Sequence, residues 1–119
     1  MKFQPLALSL ALSLVLLSAL GATQATAQTF DVSAEACAAE FSDGRMEVSL
    51  SAISFWESTC DILSRDVQAD GSVRMDLACH GEGEEWPMQL TMAPQGAQDL
   101  AISIDGGEAR NYVACPAAN

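Results

Sequence analysis

His80-Gly81-Glu82-Gly83-Glu84-Glu85 gathers one imidazole and three carboxylates into six consecutive residues. Oxygen-rich clusters suit a hard divalent cation, and Gly81 and Gly83 would let the backbone wrap around it. The spacing matches no calcium-loop pattern, however, and one His with flexible acids is a weak site. A solvated hairpin loop without metal is the expected state.

Phe55-Trp56-Glu57-Ser58-Thr59-Cys60 sets two aromatics beside an acid, and Trp86 opens the segment after the acidic loop. Brought together, Trp56 and Trp86 would form an aromatic platform for a sugar or a peptide. The simpler expectation is a Trp packed over a disulfide. Glu57 with Glu82 or Glu84 has the composition of a glycosidase carboxylate pair, which needs a fixed separation across a cleft. So short a chain has little room for that cleft. His80 is the only His available as a base and falls on the polar side of its segment. No G-x-S-x-G elbow is present. The expectation is a protein without catalytic residues or cofactor, whose ligand or partner surface is drawn from Trp56, Glu57, His80, Glu82, Glu84, Glu85 and Trp86.

The elements that must position these residues begin after a leader. Lys2 precedes an uncharged run from Leu6 to Leu20, and Ala25-Thr26-Ala27 supplies a small-x-small cleavage site. Residues 1–27 therefore read as a signal peptide cleaved after Ala27, with no membrane anchor left. No Cys follows the apolar run for lipid attachment, and no Arg pair precedes it for twin-arginine export. The expected location is periplasmic or secreted.

The remainder is one small domain, and a core of that size is helped by covalent staples. Cys37, Cys60, Cys79 and Cys115 all lie beyond the leader, with no close C-x-x-C pair to hold zinc. Two disulfides are the default outside the cytoplasm. A loop over Gln68-Ala69-Asp70-Gly71 would set Cys60 opposite Cys79, leaving Cys37 to join Cys115. The crossed pairing, Cys37–Cys60 with Cys79–Cys115, stays open.

All 16 acidic residues follow the leader, against four Arg (45, 65, 74 and 110) and no Lys. This excess repels nucleic acid and anionic membranes and favours a basic partner. It also serves solubility alone.

Residues 28–44 read as a lead-in, with Ser33 capping a short Ala-rich helix toward Phe41. Residues 45–119 read as an antiparallel β domain. Met46, Val48 and Leu50 alternate with polar residues; Ile53 and Phe55 then appear in the opposite phase, predicting a bulge near Ser51-Ala52. Further strands are expected at Thr59–Val67, Val73–His80, Trp86–Met92, Leu100–Ile104 and Ala109–Cys115. Pro87 predicts an unpaired side at the start of its strand. Met46, Met75, Met88 and Met92 fall on inward phases. The expected fold is all-β, about six short strands in a meander that closes into a small barrel or sandwich.

Trp56-Glu57-Ser58-Thr59-Cys60, then Cys79-His80-Gly81-Glu82-Gly83, then Tyr112 with Cys115, resemble a W-E-x-x-C … C-x-G-E-G … Y-x-x-C pattern found in a group of small exported proteobacterial proteins. The resemblance spans about residues 53 to 115. It implies a four-Cys β-domain and carries no activity. The functional expectation is an exported, non-enzymatic binding module of the bacterial envelope, in its specific form an inhibitor of a basic hydrolase such as lysozyme. The chain lacks the S-G-x-x-Y-type motif of lysozyme-inhibitor families. A carrier of a small apolar ligand and a structural envelope protein are the alternatives.

Overall fold

The computed structural model describes residues 27–117, so the leader read over residues 1–27 lies outside the described residues except for Ala27. Eight strands form a closed barrel: β1 (Gln28–Asp31), β2 (Met46–Val48), β3 (Ala52–Phe55), β4 (Ser58–Val67), β5 (Val73–Gly81), β6 (Glu84–Gln95), β7 (Asp99–Ile104) and β8 (Arg110–Ala114). Each strand pairs antiparallel with the next, and β1 pairs with β8 to complete the ring. Closure removes the two exposed edges that a six-strand meander would leave.

The count of about six strands is corrected to eight at two places. The segment Met46–Phe55 is a hairpin, not one bulged strand. Val48 stands opposite Ile53, so inward even-numbered residues on one strand face inward odd-numbered residues on the other. A reversal and a bulge leave the same phase slip in the sequence. Ser49 makes the reversal, its amide donating to the Ala52 carbonyl at 2.9 Å and its Oγ accepting from the Ala52 amide at 3.1 Å. The second extra strand is β1, inside the residues read as a lead-in. Phe30 is its single apolar residue and the next, Asp31, is charged yet buried, so no alternation shows; Phe30 nevertheless pairs with Met46 on one side and Ala114 on the other.

Between β1 and β2 stands one helical turn, α1 (Ala34–Ala38), with Ser33 Oγ accepting from the Ala36 amide at 3.1 Å. It stops before Phe41.

Inward side chains fill the barrel. Met46, Ile53, Leu77 and Leu90 are almost fully buried, joined by Phe30, Ile102 and Tyr112, and Met88 and Met92 pack against them. Each fully buried aliphatic side chain contributes about 1.5–3 kcal/mol. Cys60 and Cys79 pair in register and are bonded; Cys37 is bonded to Cys115. The crossed pairing is thereby excluded.

The Cys60–Cys79 register depends on two offsets that cancel. The β4–β5 turn is one residue longer than expected, with the Gln68 amide donating to the Ser72 carbonyl at 2.8 Å. The ladder then skips from Ile62 to Ser64, leaving Leu63 as a bulge. Proline 87 is placed as predicted. The Gln89 amide donates toward Asp105 at the end of β7, and Pro87, two residues earlier, directs its missing donor where β7 has ended.

Candidate functional site

In an antiparallel ring alternate connections share an end. The α1 connection, the β3–β4 turn and the β5–β6 turn therefore lie at one end of the barrel, with the β7–β8 turn. Trp56-Glu57 joins β3 to β4, and Glu82-Gly83 joins β5 to β6, each as a two-residue turn. Glu57 (φ 63°) and Glu82 (φ 50°) both hold left-handed backbone, a region that non-glycine residues seldom occupy. Gly81 lets the two turns meet, because a Cβ there would strike the Glu57 carbonyl and lie 3.1 Å from Ser58 Cα. Thus the structure brings Trp56, Glu57, Glu82 and Glu84 to one end.

It does not unite the two Trp residues. Trp86 is half-buried, pairs with Cys79 and packs against the core beside the Cys60–Cys79 bridge. Trp56 is half-exposed and lines a separate groove. The aromatic platform of Trp56 and Trp86 is therefore replaced by two clefts. One, of about 370 Å³, lies on the barrel wall and includes Leu63, His80, Glu85 and Trp86. His80 and Glu85 sit opposite one another there, both exposed. The hollow lined by Glu82 and Glu84 does not include Glu57, so the glycosidase-like pair does not flank a common cleft. Among the described residues no group of three His, Cys, Asp or Glu side chains converges as metal ligands.

The second cleft, about 210 Å³, lies between Phe41 and Trp56, with Phe55, Ser42, Glu40 and Glu47 around it. Below it, fully buried Asp31 accepts from Ser42 Oγ at 3.0 Å and from Arg45 Nε at 3.3 Å. The Arg45 guanidinium also donates to the carbonyls of Ala36 and Ala39, each at 2.7 Å, and of Glu40 at 3.4 Å. These bonds answer the open C-terminal carbonyls of α1. The chain on both sides of Phe41 is thereby fixed, and Phe41 remains 74% exposed.

Phe41, Glu40, Glu47 and Arg45 were not singled out from sequence. Their association depends on Arg45 reaching back across five to nine residues, which no local period records. Two signals were present: Phe41 is an aromatic without a periodic partner, and Arg45 is one of only four arginines. No protein-family model, no curated protein and no solved structure matches this chain.

Proposed function

We propose that this chain is an exported, non-enzymatic binding module of the bacterial envelope, with a basic protein as partner and inhibition of a basic hydrolase such as lysozyme as its specific form. The supporting observation is the uncompensated charge of the barrel. Of the 16 acidic residues, Asp31 alone has a cationic group within 4.0 Å among the described residues. Arg45 is committed to Asp31 and to helix carbonyls, and Arg65 donates to the carbonyls of Ser49 and Leu50. An outward field of one sign steers oppositely charged partners and speeds encounter.

The carrier reading has less support, since packed side chains from every strand occupy the inward positions a ligand would need. The testing experiment captures partners on the oxidised 28–119 domain, from an envelope extract and from a panel of basic lysozymes. Binding at low salt that weakens at high salt is expected. Failure to retain any basic protein at either salt would overturn the reading and favour a carrier or a structural protein.

A further inference from the structure

We propose that the groove between Phe41 and Trp56 receives a lysine or arginine side chain projected by the basic partner. This rests on the binding-module reading and adds the site and the group recognised.

The first argument is exposure that the fold actively maintains. Phe41 is 74% and Trp56 50% exposed, although removing such rings from water is favourable. Phe41 is kept from collapsing inward by its neighbours: the Glu40 carbonyl is held by Arg45, and Ser42 Oγ is held by Asp31. Trp56 is set on a tight turn whose next residue, Glu57, occupies left-handed backbone. Two rings presented on braced backbone lose little conformational freedom when they bind.

The second argument is charge. Glu40 and Glu47 border the groove, and neither has a cationic group within 4.0 Å among the described residues. Arg45 is the one cation in the lining, and its charge is answered by Asp31. Aromatic walls with a carboxylate rim are complementary to a long side chain that is apolar along its stem and cationic at its tip. The stem would lie along the rings, with the tip over the Trp56 face or at Glu40 and Glu47. An acidic side chain would meet repulsion there, and an uncharged apolar one would gain nothing from the exposed carboxylates of Glu40 and Glu47.

The test uses the exported chain, purified from periplasm with both disulfides formed. The probes are a basic lysozyme and end-blocked hexa-lysine and hexa-arginine peptides, titrated at low salt. Two double variants remove equal charge from opposite ends of the barrel. E40Q/E47Q acts at the groove; D66N/D99N acts beside the β4–β5 and β6–β7 turns. A third, F41S/W56S, removes the rings, and circular dichroism checks that each variant folds. The expected result is a loss of about tenfold or more in affinity for E40Q/E47Q and for F41S/W56S, against less than about threefold for D66N/D99N. In the wild type the probe should alter tryptophan emission, and W56F should abolish that change. Equal weakening by the two charge variants would overturn the groove while leaving the acidic-module reading standing. Absence of binding to every probe by the wild type would overturn both.

Discussion

Asp31 has no exposed surface, and Arg45 meets it with Nε 3.3 Å from Oδ2. A buried carboxylate without its cation is costly, because water is no longer there to solvate it. The same guanidinium holds the last carbonyls of α1, so one side chain joins β1, the helix and the approach to β2. Arg45→Met should therefore destabilise the protein by about 3 kcal/mol. Asp31→Asn should cost less, because the amide oxygen still accepts from Ser42. The double variant should recover part of the loss, with a coupling energy of at least about 1 kcal/mol in urea unfolding. Strict additivity would show that the pair does not act as a unit.

The two disulfides close loops of very different length. Cys37–Cys115 spans 78 residues and Cys60–Cys79 spans 19. Loop-closure entropy assigns about 4.5 kcal/mol to the long bridge and about 3.2 to the short one. Replacing each pair with Ala should follow that order in denaturant midpoints. The short bridge is also part of the core, with Trp86 against it, so its loss should shift tryptophan emission as well. A larger loss from C60A/C79A than from C37A/C115A would show that packing outweighs chain entropy here.

Local pattern carried the alternation on β5 and β6 because those strands are long and bury one face. It carried the Cys60–Cys79 pairing too, although the extra turn residue and the Leu63 bulge were invisible individually; their offsets cancel at the cysteines. It failed where a strand carries one apolar residue followed by a buried charge, as in β1 with Phe30 and Asp31, and where two geometries share one phase, as at Val48 and Ile53. Of the candidate site, Trp56, Glu57 and the Glu82–Glu84 turn were legible from residue type and converge at one end. The Phe41 wall was not, because its position follows from hydrogen bonds made by Arg45 after the chain has turned back. Trp86 carried the same aromatic signal as Trp56 and belongs to the core, since residue type alone does not separate an exposed ring from a packed one.

Gly81 and Gly83 stand two residues apart and serve different ends. A Cβ at Gly81 would collide with the Glu57 carbonyl and crowd Ser58, backbone that has nowhere to move without disturbing the β3–β4 turn. Gly83 has open space but a φ of 79°. Gly81→Ala should cost about 2 kcal/mol through displacement, and Gly83→Ala about 1 kcal/mol through backbone strain. The two separate in fluorescence: Gly81→Ala should perturb Trp56 on the adjoining turn, and Gly83→Ala should not. Identical emission from both variants would remove the coupling of the two turns.

Asp70 closes the β4–β5 turn, its Oδ1 accepting from Ser72 Oγ at 2.6 Å and from the Ser72 amide at 2.9 Å. The Ser72 hydroxyl, then the Ser72 amide, hold its pKa below the ordinary aspartate value. A carboxyl whose native pKa is depressed stabilises the fold fully above its unfolded pKa. That contribution is lost as the pH falls through the lower native value. Asp70→Asn should therefore lower the melting temperature at about pH 7, and the gap from wild type should narrow on acidification below about pH 4. Ser72→Ala, which removes the hydroxyl donor but keeps the amide, should reproduce part of the same pH dependence. A gap that stays constant down to about pH 2.5 would mean that Asp70 acts through turn geometry alone and that its charge contributes nothing.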